Sequence, residues 1–102
     1  MRRLPLLLLL LLAHCASRAV PEVNDEMARR TAVEPERLEN GRAIYLEKCH
    51  RCHEQVPPGK LDPEYWRQII PHMARNAELG RGEQADVLNY LIAAHLEASG
   101  VR

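Results

Sequence analysis

The chain has no phenylalanine, one tryptophan and three tyrosines among its 102 residues, so aromatic bulk for a hydrophobic core is scarce. Neither sign of charge is in excess, with 14 Lys and Arg against 14 Asp and Glu, and no basic patch of the kind that binds nucleic acid is visible. No run of β-branched residues reads as a strand, and no internal repeat occurs. The longest apolar stretch, from Leu4 to Ala13, is too short to span a bilayer. Cysteine is limited to Cys15, Cys49 and Cys52, and no second C-x-x-C or H-x-x-x-H is present to complete a tetrahedral zinc site. These absences point to a small all-α chain whose core must draw on something other than aromatic side chains.

Met1, Arg2 and Arg3, the leucine run, and the small residues Ala13, Cys15, Ala16, Ser17 and Ala19 have the layout of a secretory signal peptide. It is expected over 1–19 with cleavage after Ala19. Cuts after Cys15 or Ser17 fit the same small-x-small pattern. Leu12-Ala13-His14-Cys15 is similar to a bacterial lipoprotein box, but His14 stands where a small residue is expected, which argues against a lipid anchor at Cys15. Removing 1–19 leaves 83 residues with 11 basic and 14 acidic side chains, a net charge of −3. A chain of that size rarely stabilises itself by a hydrophobic core alone.

From Val20 to Pro35 the sequence is polar, carries Pro21 and Pro35, and lacks periodicity. It reads as a flexible N-terminal arm with at most a helical turn around Asp25 to Arg30, Met27 being incidental. The remaining segment, 36–102, is expected to be the single domain. Pro35 suits a helix start, and Leu38, Gly41, Tyr45 and Cys49 recur at helical spacing. Gly41 costs roughly 1 kcal/mol there relative to alanine, so a close approach of another element is expected. Val56-Pro57-Pro58-Gly59 is a loop, and Asp62-Pro63 pairs a capping residue with a proline at the first helical position. Pro71 is expected to kink this helix or begin a new one. Glu83 to Ala98 reads as a closing helix with Val87, Leu88, Leu91, Ile92 and Leu96 as its apolar stripe.

Cys49-His50-Arg51-Cys52-His53 is the most specific feature. In C-x-x-C-H, two thiols three residues apart can each add to a vinyl group of haem, and the following histidine can bind the iron. At i, i+3 and i+4, Cys49, Cys52 and His53 would share one face of a helical turn. A thioredoxin-type dithiol would need a βαβ setting that this sequence does not offer. One covalent haem c would also supply the apolar bulk that the composition lacks. His50 projects away from that face, and His95 is placed to meet the C-terminal dipole of its helix.

From about Gly41 to His95 the chain resembles a small class I cytochrome c. Gly41-x-x-x-Tyr45-x-x-x-Cys49-x-x-Cys52-His53 is similar to that family's N-terminal helix, and Asn89-Tyr90-Leu91 resembles its C-terminal helix, which crosses the first at the glycine. Trp66 to Met73 resembles the W-x6-M segment of a short single-haem bacterial subgroup. The resemblance implies three to four helices wrapped around one haem, with His53 and Met73 as axial ligands and Trp66 at the haem edge. It also implies a proline turn, including Pro58, beside the proximal ligand, where a backbone carbonyl could accept the other ring N–H of His53. His72 departs from the subgroup's pattern and is the alternative sixth ligand, since imidazole also binds haem iron.

Iron held by one nitrogen and one thioether has no open position for substrate. The expectation is therefore a periplasmic one-electron carrier rather than an enzyme. Its partners would be redox proteins that dock transiently. A haem relay within a larger oxidoreductase complex and a five-coordinate haem open to gases or peroxide are the alternatives.

Overall fold

Each helix starts where its unpaired N–H groups find an acceptor or need none. Asn24 accepts a bond from the Met27 N–H at 2.9 Å, and Asp62 accepts one from the Tyr65 N–H at 2.9 Å. Pro35 and Pro63 occupy first-turn positions, where the missing N–H removes no helical bond. Glu83 reaches back to accept from the Gly80 N–H at 3.2 Å. The computed structural model describes residues 20–51 and 53–100. Among these the chain forms α1 (Asp25–Thr31), α2 (Pro35–Lys48), α3 (Pro63–Asn76) and α4 (Arg81–Ala98), with single 3-10 turns at Cys49–Arg51 and Pro58–Lys60. There is no strand among the described residues, in agreement with the all-α expectation. The signal-peptide and lipidation readings, on 1–19 and Cys15, lie outside them.

Helix α4 is the hub and packs against α1, α2 and α3. A helix surrounded in this way is apolar on more than one stripe, and its fully buried residues are Val87, Tyr90, Leu91, Ala93 and Ala94. Leu88, Ile92 and Leu96, expected on its stripe, are only partly covered. The small Ala93 and Ala94 let neighbouring helices approach. The closest approach is to α2 at Gly41, where an added Cβ would collide with the Asp86 carbonyl oxygen and stand 2.9 Å from the Tyr90 Cβ. Asp86 is buried beside this crossing. Its carboxylate accepts from Arg37 Nε at 2.9 Å and Asn40 Nδ2 at 2.8 Å, so a charge in the core is both paired and hydrogen-bonded.

One expectation is corrected. The stretch 20–35 is not a loose arm, because it contains α1 and packs on the rest of the domain. Met27 has 0 % exposure, and burying such a side chain is worth about 2 kcal/mol. Upstream of α1, Arg42 donates to the carbonyls of Val20 and Pro21 at 3.2 and 3.1 Å, and the Tyr90 hydroxyl donates to Pro21 at 2.6 Å. On the outer face of α1, Glu26 pairs with Arg29 and Arg30, and these guanidiniums hold its carboxyl below the usual range.

Of the two outcomes expected at Pro71, a kink or a new helix, the second does not occur, since Pro71 lies inside α3, which continues past it. Its ring removes one intrahelical bond, to the Arg67 carbonyl four residues back. Burial of Trp66, Ile70 and Ala74 along one face of α3 holds the helix together across that gap.

Two buried phenols make the fold sensitive to alkali. Burial pushes the Tyr45 hydroxyl up to about 12 and raises Tyr90 as well, whereas an unfolded tyrosine ionises near pH 10. Folding therefore favours the neutral phenols. Their contribution is fully present below about pH 10 and is lost as the pH rises through the folded values. Urea midpoints should fall steeply from about pH 10 to pH 12, and Tyr45→Phe should make that fall shallower. A midpoint unaffected by pH over this window would contradict the burial of these groups.

Candidate functional site

Helix α2 runs directly into the 3-10 turn Cys49–Arg51, so the motif begins at the C-terminus of the helix that crosses α4. This 3-10 turn is tighter than the helical turn expected to present Cys49, Cys52 and His53 on one face, and His53 lies beyond it in a bend. Cys52 is outside the described residues. Cys49 is half-buried, and this burial pushes its thiol up, keeping it protonated near neutral pH. The His53 ring is exposed, and its Nδ1 lies 2.7 Å from the Glu54 carbonyl. Because that oxygen can only accept, Nδ1 carries a proton, and in the neutral ring this leaves the Nε2 lone pair for a metal.

Lys48, Cys49, Arg51 and His53 form one wall of a cleft of about 340 Å³, and Met73, Asn76, Ala77 and Glu78 at the end of α3 form the other. Two residues of the C-x-x-C-H motif and the methionine of W-x6-M thus meet across one space. The rim carries both charges, with Lys48 and Arg51 against Glu78. Lys48 is partly neutralised by Glu83 at 3.5 Å. Glu78 has a left-handed backbone (φ 58°) where α3 terminates, and the Leu79 N–H donates to the Ala74 carbonyl at 2.8 Å. This reversal places Glu78 at the cleft mouth.

His72 is exposed and does not line the cleft. Its Nδ1 accepts from Arg75 Nη2 at 2.6 Å on the outer face of α3. Trp66 shares the inner face with Met73 but lies seven residues earlier, about 10.5 Å along the axis. It is fully buried, packs edge-on against Tyr45 with ring centroids 6.1 Å apart, and is absent from the cleft lining.

Pro58 is buried in the turn after the motif. The expected bond from a carbonyl of this turn to the His53 ring is not the one formed, since the Glu54 carbonyl occupies Nδ1. The Pro58 carbonyl instead accepts from Trp66 Nε1 at 3.0 Å and faces His95 Nδ1 at 3.3 Å. The Tyr45 hydroxyl donates to the Val56 carbonyl in the same segment. The contacts of His95, Glu78 and Asp86 carried no sequence signal, because each depends on where distant backbone lies.

The donors present suit iron in a porphyrin: a half-buried thiol that can form a thioether, an imidazole with a free nitrogen, and a methionine sulfur opposite. Among the described residues, no three His, Cys, Asp or Glu side chains group so as to hold a bare metal ion, and no helix is long and apolar enough to cross a membrane. Comparison of the chain with protein-family models, curated proteins and solved structures gives no match.

Proposed function

We propose that this chain is a one-electron carrier with a class I cytochrome c-like fold, holding one haem c through Cys49 and Cys52 with His53 and Met73 as axial ligands. The observation that supports this best is that Cys49, His53 and Met73 line the same cleft although Met73 belongs to a separate helix. When bound, the haem supplies the one-electron redox chemistry.

The polypeptide provides the rest. His53, with Nδ1 engaged by Glu54, presents Nε2. Met73 offers a thioether that favours the reduced state over what a second histidine would give. Tyr45, Trp66 and Ile70 are buried in the core from which α2 and α3 extend to the cleft. The rim charges at Lys48, Arg51 and Glu78 face an approaching partner, a redox protein that need dock only briefly. With residues 1–19 read as an export signal, the carrier would work in the periplasm.

The test is expression with a cytochrome c maturation system, followed by native and denatured pyridine-adduct spectra. One haem per chain is expected, retained through acid-acetone extraction, with a sulfur-to-iron charge-transfer band in the oxidised protein and slow carbon monoxide binding when reduced. A colourless product, or pigment released into the solvent, would end this reading.

A further inference from the structure

Resting on the haem reading above, we propose that His95 is a positioning residue for the distal ligand, acting through the Pro58 carbonyl to fix the helix that carries Met73. Three elements meet at that one oxygen. Trp66 Nε1 of α3 donates to it at 3.0 Å, and His95 Nδ1 of α4 stands 3.3 Å away. A carbonyl has two lone pairs and can accept both bonds.

Steric contact reinforces the junction. Pro58 is buried, and a Cβ on the adjacent Gly59 would lie 2.8 Å from the Ala98 Cβ, so the turn is pressed directly against the end of α4. Closer to the motif, the Tyr45 hydroxyl holds the Val56 carbonyl, and Gln55 Nε2 donates to the Tyr45 carbonyl at 3.4 Å.

The connectivity gives this oxygen its importance. The chain from His53 to Pro58 is short and tethered at each of these points. On the other side, Trp66 lies on the same face of α3 as Met73. The Pro58 carbonyl is therefore where the segment carrying the proximal ligand and the helix carrying the distal ligand are joined, and His95 is the group that ties the joint to α4. Without its N–H, the turn and α3 keep their mutual bond through Trp66 but lose their hydrogen bond to the central helix. Met73 would then be held less firmly in the cleft and displaced more readily by an external ligand.

The test uses the oxidised haem protein and a titration with free imidazole, read from loss of the sulfur-to-iron band. His95→Leu should bind imidazole about tenfold more tightly than the wild type, the effect of one hydrogen bond. His95→Asn, whose amide can place a donor near the position of Nδ1, should restore most of the wild-type affinity. His95→Ala, which brings no extra bulk, serves if the leucine variant fails to fold, and denaturation midpoints separate local from global loosening. Wild-type imidazole affinity in both His95→Leu and His95→Ala, or no rescue by asparagine, overturns the assignment while leaving the carrier intact. A wild type that carries no haem overturns both.

Discussion

Replacing Gly41 with alanine should abolish cooperative folding or lower the thermal midpoint severely, although helix propensity alone favours alanine by about 1 kcal/mol. The added Cβ would collide with the Asp86 carbonyl oxygen, stand 2.6 Å from its carbon and lie 2.9 Å from the Tyr90 Cβ. Two of these atoms are backbone, so no side-chain rotation relieves the overlap. Helices α2 and α4 would have to separate, yet both sides of the crossing are anchored. Arg37 and Asn40 of α2 hold the Asp86 carboxylate, and Tyr90 is held to Pro21.

Overpacking of a well-packed core costs about 1–3 kcal/mol. A collision with fixed backbone belongs at or above the top of that range, against a total stability of about 5–15 kcal/mol. Gly82→Ala is the control, because nothing lies within 4 Å of its would-be Cβ, and it should be neutral or stabilising by up to about 1 kcal/mol. Circular dichroism melts should show a lowered midpoint for Gly41→Ala and an unchanged or raised one for Gly82→Ala. Equal stability of Gly41→Ala and the wild type would mean that the helices do not cross here.

Gly41 was legible in the sequence because a glycine inside a helix of good formers needs a reason, and close approach is the common one. The same holds for Asp62-Pro63, whose capping chemistry is local and places α3 correctly. What was not legible depends on distant partners. Met27 reads as incidental in the sequence because its burial requires α1 to lie on α4, and nothing near it in sequence encodes that contact. Pro71 leaves a kink and a new helix both open in the sequence because the rule against it is local, while the burial of Trp66, Ile70 and Ala74 that carries α3 past the lost bond is tertiary. In the site, the seven residues of the W-x6-M spacing are close to two helical turns, so Trp66 and Met73 share a face of α3. That spacing could not show that two helical turns separate a core position from a cleft wall, so Trp66 emerges as a buried anchor tied to Pro58. His95 carries in sequence only the signal of a C-terminal histidine, because its contact with the Pro58 carbonyl depends on a turn 37 residues away.

If the chain holds haem as proposed, replacing Met73 with alanine should remove the sulfur-to-iron charge-transfer band and lower the reduction potential, whereas His72→Ala should change neither. The two residues are adjacent on a continuous α-helix and project about 100° apart, so only one can face the cleft. Met73 lines it, while His72 is exposed with Nδ1 occupied by the Arg75 guanidinium at 2.6 Å. To reach the same space, His72 would have to abandon that bond and rotate α3, driving Trp66 and Ile70 out of the core, where each is 1 % exposed. Breaking that burial costs several times what an exposed hydrogen bond contributes, roughly 1 kcal/mol. Methionine ligation raises the haem potential, so its loss should lower the midpoint by on the order of 0.1 V, well within the roughly 0.8 V that axial ligands span. The vacated position should also admit carbon monoxide rapidly. An unchanged spectrum in Met73→Ala, with the band lost in His72→Ala, would transfer the sixth ligand to the histidine and require the end of α3 to unwind when haem is bound.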